Sequence, residues 1–90
     1  MDNEVKVERA GNAGYHGKHE LLRYKITYRD MTAMVDELWS QQYVYSECAR
    51  DFLVYGQVPA SAHGVYRTWG DAMLAIKHGI DAALDKEVAI

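Results

Sequence analysis

The chain has 90 residues, 49% apolar and 26% charged, with a formal net charge of −3. That is enough for one hydrophobic core and too little for the large sheets that dinucleotide- and triphosphate-dependent enzymes need, so residues 1–90 are read as a single small domain. One Cys excludes an internal disulfide and zinc sites made of cysteine pairs; no apolar run reaches membrane-spanning length, so no leader, no membrane and a cytoplasmic location are expected.

Charge is unevenly placed along the chain. Between positions 9 and 29 five cations stand against one acid, a local balance of +4, whereas positions 30–90 carry nine acids against four cations, a balance of −5. Such asymmetry suits an electrostatic partner, and it equally suits attraction between the two parts of the chain.

The first patterned stretch is "EVKVER" (4–9), with Val5 and Val7 on one side of an extended segment and Glu4, Lys6 and Glu8 on the other. "LRYKITYR" (22–29) alternates in the same way: Leu22, Tyr24, Ile26 and Tyr28 against Arg23, Lys25, Thr27 and Arg29. The two segments predict an antiparallel pair around "AGNAGYHGKHE", whose three glycines favour a loop; residues 1–20 are expected to be flexible. A short helix through "HELLRYKI" is the competing reading.

From Asp30 the spacing changes. Met31, Met34, Val35, Leu38 and Trp39 fall at i, i+3, i+4, i+7 and i+8 behind a capping Asp, which predicts an amphipathic helix over 30–41. A second helix is expected over 46–55, with Gly56 as its stop and a strand through "DFLVYG" as the alternative. Pro59 excludes a regular element at "QVPAS", and Ser61 is placed to cap a short turn running to Tyr66. Thr68 and Asp71 have capping-box spacing, and Trp69, Met73, Ile76, Ile80 and Leu84 predict a last helix to about Asp85. Gly79, costly inside a helix by roughly 1 kcal/mol against Ala, points to a kink or a close backbone approach. The fold expected is therefore α+β, a two-stranded antiparallel pair packed on about three helices. The alternative is an all-α bundle with a disordered N-terminus.

No motif here carries catalysis. In "GNAGYHGKH" (11–19) five residues rather than four separate Gly11 from Gly17, and His19 stands where a phosphate loop needs Ser or Thr. His16, His19 and Glu20 are ligand types on a poorly preorganised segment, so no metal site is expected. Cys48 has no sequence-adjacent base; His63 and His78 are not oriented toward it by any motif, and packing is its expected role. No enzyme and no cofactor are expected.

Two binding surfaces are suggested instead. One is basic: Arg23, Lys25 and Arg29 on the strand, with Lys18 on the preceding loop. The other is aromatic, drawn from Tyr43, Tyr45 and Tyr66, because exposed aromatics beside charge are typical of protein interfaces. The order strand 22–29, helix 30–41, helix 46–55, with "SECARDFL" opening the second helix, resembles the ribbon-helix-helix repressors. That resemblance spans about a third of the chain, without a diagnostic motif. It implies two chains pairing strands in a DNA major groove, with Arg23, Lys25 and Thr27 facing the bases. Tyr43, where that family usually has a glycine, and a long C-terminal remainder depart from the pattern.

The expected function is that of a small non-catalytic binding domain acting through protein–protein contacts, with self-association as a homodimer. The alternatives are nucleic-acid binding through the basic ribbon and an acidic decoy of nucleic acid using Asp71, Asp81 and Asp85.

Overall fold

The computed structural model describes residues 4–39 and 50–88, the last three of these by their backbone alone. Among the described residues five strands form one antiparallel sheet in sequence order: β1 (Lys6–His16), β2 (His19–Tyr28), β3 (Met31–Trp39), β4 (Arg50–Gly56) and β5 (Gly64–Tyr66). Among the same residues a 3-10 turn, Ala60–Ala62, precedes β5, and one helix, α1 (Trp69–Val88), follows it.

The pairing of the first two segments is present and far longer than expected. Val7 lies opposite Ile26 and Arg9 opposite Tyr24, but the ladder continues until His16 faces His19 across the two-residue turn Gly17–Lys18. The glycine-rich stretch is thus strand, not loop. Its register shifts fall beside Gly11 and Gly14, whose φ values of 124° and 125° mark bulges rather than a broad connector. Gly17, at φ 59°, opens the tight turn in the way a glycine-first hairpin requires.

Where the residues predicted as two helices over 30–41 and 46–55 are described, at 31–39 and 50–55, they are strands, and with this goes the architecture of a β-pair on three helices; residues 40–49 lie outside the described residues. The all-α alternative is excluded by the same sheet. Positions 31–39 are β3, joined to β2 by a two-residue turn at Arg29 and Asp30, both with positive φ (49° and 65°). Arg50–Gly56 is β4, as the competing strand reading had it. The physical reason is two-sided burial. β3 carries Met31, Ala33 and Val35 on one face and Met34 and Leu38 on the other, so its apolar residues fall at helical intervals without a helix. In β4, "FLVY" is apolar on both faces and shows no alternation to read. The ribbon-helix-helix resemblance fails here too, because 31–39 and 50–55, which it makes helices, are strands. The predicted turn from Ser61 to Tyr66 is a shorter 3-10 turn followed by β5.

α1 is the predicted last helix. The backbone N–H of Asp71 donates to Thr68 Oγ1 at 3.0 Å, the N-terminal cap that the Thr-Asp spacing implied. Ala72, Ile76 and Ile80, one turn apart, are buried against Ile26, Ala33, Val35 and Val54 of the sheet. Trp69 meets Tyr24 and Phe52 edge-on, with ring centroids 5.0 and 5.7 Å away. Gly79 is buried, and a Cβ there would stand 3.0 Å from that of Ala62: its role is close approach to the 3-10 turn. No helix among the described residues is long and apolar enough to cross a membrane.

At the far end of α1 the β2–β3 turn is tied down. Tyr28 Oη and Arg29 Nη1 each donate to Asp81 Oδ1 at 2.8 Å, and Asp85 lies 3.9 Å from the same guanidinium nitrogen. The two hydrogen bonds, from Arg29 and then Tyr28, hold the Asp81 carboxyl below its ordinary range; the Tyr28 phenol, donating to that carboxylate, is pushed up. A turn of two non-glycine residues at positive φ is disfavoured, and the Arg29 anchor holds it in place.

Candidate interaction face

All the helix contacts fall on one face of the sheet. The register fixes what stands on the other. Across the strands the rows read Lys6–Thr27–Thr32, then Glu8–Lys25–Met34–Tyr55, then Arg23–Asp36–Leu53–Val65, and finally Leu38–Asp51. Among the described residues no helix or turn packs on these rows. Antiparallel sheets commonly leave one face wet, and such a face is normally polar. Here β3, β4 and β5 contribute Met34, Leu38, Leu53, Tyr55 and Val65; the first four are half-buried by their own neighbours, and Val65 is 57% exposed.

A polar cluster lies in the middle of this face. Arg23 grips Asp36 with both arms, Nε to Oδ1 at 2.8 Å and Nη2 to Oδ2 at 3.0 Å. Tyr55 Oη donates to the same Oδ1 at 3.0 Å. The hydrogen bonds to Asp36 raise the Arg23 guanidinium further above its ordinary value, and burial, then the Asp36 contact, pushes the Tyr55 phenol up. A bidentate guanidinium–carboxylate pair is geometrically locked and internally neutral. It leaves a central patch that an apolar partner can cover without orphaning a charge.

The predicted basic set is dispersed by this arrangement. Arg23 is on the open face and engaged by Asp36, and Lys25 is exposed beside it. Arg29 sits in the turn on the helix side, bound to Asp81, and Lys18 is at the hairpin tip. Arg9 approaches Glu20 at 3.4 Å. The structure does not gather them into one basic surface. Of the aromatic set, Tyr43 and Tyr45 lie outside the described residues, as does Cys48. Tyr66 belongs to the helix-side packing, where its hydroxyl donates to the Ala62 carbonyl at 2.9 Å. The sequence reading missed Asp36, Met34, Leu53, Tyr55 and Val65 as surface residues. The signal that could have found them is the lack of alternation in 31–39 and 52–55, which means apolar side chains on both faces.

Two other places bring together polar or cavity-lining groups. His16 stacks flat on Trp39, centroids 4.0 Å apart at 11°, with His19 tilted at 5.2 Å and the Arg50 guanidinium 5.0 Å from the indole centroid. This is a stacked aromatic–cation group at the hairpin end; among the described residues no three His, Cys, Asp or Glu converge as metal ligands. A groove of about 310 Å³ between the 3-10 turn and α1 is lined by Pro59, Ser61, Gly79, Ala82 and Ala83, with no titratable side chain. Comparison of the chain with protein-family models, curated proteins and solved structures gives no match.

Proposed function

We propose that this chain is a small non-catalytic protein-binding domain whose contact surface is the open face of the sheet. The observation that carries the reading is the band of Met34, Leu53, Tyr55 and Val65 on a face that no described element covers, centred on an internally neutralised Arg23–Asp36 pair. Interface cores have this character: few unpaired charges, with Tyr and Met over-represented. The charged rim is supplied by Lys6, Glu8 and Lys25 on β1 and β2. Nucleic-acid binding is less well supported, because phosphate recognition needs free, clustered cations and three of the arginines here are held by Asp36, Asp81 and Glu20. The acidic decoy has less support still: Asp81, one of its three carboxylates, is occupied by Tyr28 and Arg29.

The test is recovery of bound proteins from native cell extract, with and without nuclease, using the wild type, Val65→Arg on the open face and Leu74→Glu on the exposed side of α1. Binding that survives nuclease, is lost in Val65→Arg and persists in Leu74→Glu supports the proposal. Binding that nuclease abolishes, or that Val65→Arg leaves intact, overturns it.

A further inference from the structure

We infer that the outer part of the β1–β2 hairpin, residues 12–22, is a hinged arm, latched shut by His16 and His19 on Trp39, that opens as a unit while the sheet beneath α1 stays folded. It does not depend on the open face being a contact surface.

Three observations carry the arm. The first is where the strand ladders end. β2 pairs with β3 only as far as Arg23–Asp36, whereas β1 and β2 run on together to His16–His19, and β3 and β4 to Trp39–Arg50. Beyond Arg23 the sheet divides into two hairpin ends, with no backbone ladder between them among the described residues. At the root of this fork Arg23 clasps Asp36, and the Leu22 backbone N–H donates to the Glu37 carboxylate at 2.7 Å. A side chain stands there in place of a ladder partner.

The second is how the fork is closed. Its two ends meet at Trp39, which His16 covers flat with centroids 4.0 Å apart and His19 approaches at 5.2 Å. Both histidines are on the arm and the indole is on β3, so these ring contacts hold the arm down. The bulges beside Gly11 and Gly14 bend and twist β1, the ordinary means of re-aiming a side chain. Neither glycine has an atom within 4 Å of where a Cβ would stand, so their positive φ serves the bend and not a close approach.

The third is burial. From Asn12 to Glu20 only Ala13, Gly14 and His19 are half-buried, and the rest are exposed. Leu21, 8% exposed, is the buried side chain of the arm, and it stands outside the core cluster of Ile26, Val35 and Val54. A segment with few buried apolar contacts and many exposed backbone bonds opens at lower free energy than the core. Opening uncovers the Trp39 indole and the facing strand edges at 19–22 and 37–39, so the latch governs access to both.

Native-state hydrogen exchange of the full chain, read residue by residue, tests the inference. Amides of 12–22 should exchange more slowly than in an unfolded chain, yet at least about tenfold faster than those of Ile26, Val35 and Val54. His16→Ala, at an exposed position, should speed exchange across the arm by about three- to tenfold and leave the three core amides unchanged. Trp39→Ala should speed it further, and His16→Phe, which keeps a ring on the indole, should stay near wild type. Arm amides protected as well as the core, or not protected at all, overturn the hinged arm. Arm exchange indifferent to His16→Ala, or an effect that reaches the core amides equally, overturns the latch. His16→Phe behaving like His16→Ala overturns ring stacking as what holds it.

Discussion

The two faces of the sheet come from the same strands, often from adjacent residues, and they are finished differently. On the helix side Ile26, Val35 and Val54 are essentially inaccessible under Ile76 and Ile80. On the other side their immediate neighbours Lys25, Met34 and Leu53 have no covering layer among the described residues. Polar groups are also used differently. Asp81 faces the turn from α1 and fastens the covering helix to the sheet through Tyr28 and Arg29. Asp36 bridges β2 and β3 within the sheet and takes Tyr55 from β4, which leaves the surface flat, neutral and half apolar. The difference teaches that one face is completed by folding and the other is complete enough to fold, yet still carries surface suited to burial.

That contrast can be broken by substitution. The largest expected effect is Ile76→Ala, which should lower unfolding free energy by about 2–5 kcal/mol in chemical denaturation, since it opens a cavity between α1 and the sheet. Val65→Ala on the open face should stay within about 0.5 kcal/mol when measured on the chain alone. Comparable losses at both positions would mean that the open face is core in disguise. A smaller effect is expected at the helix anchor. With the Asp81 carboxyl held below its ordinary range, its contribution is present at neutral pH and is lost as pH falls through that lowered value. Asp81→Asn should therefore melt below wild type at neutral pH, by less than Ile76→Ala, and the two curves should converge in acid. A gap that persists unchanged at low pH would assign Asp81 a packing role rather than an ionic one.

Much of the covered face was legible in the sequence. The alternation of Val5, Val7, Tyr24, Ile26 and Tyr28 gave the β1–β2 pair, and the Thr68 cap with Ala72, Ile76 and Ile80 gave α1. Both elements have one wet side, and a wet side is what makes periodicity visible. β3 and β4 failed for the opposite reason. With Met34 and Leu38 outward and Ala33 and Val35 inward, β3 has apolar residues of both parities, and a helical stripe can always be drawn through such a set. The misreading and the proposed contact face thus share one cause. The basic ribbon was misjudged because sequence shows the sign of Arg23 and Arg29 but not their partners, which lie 13 and 52 positions away. The long hairpin was missed because bulges use the same glycines as loops do.

The most direct measurement is hydroxyl-radical footprinting of the chain alone and with the proteins it captures from extract. Alone, Met34 and Tyr55 should be labelled while Tyr28, only 4% exposed, is spared. With the captured proteins bound, Met34 and Tyr55 should become protected and Leu74, 52% exposed on α1, should not change. Protection of Met34 and Tyr55 in the chain alone, or labelling that bound protein leaves untouched, would contradict the account of the open face.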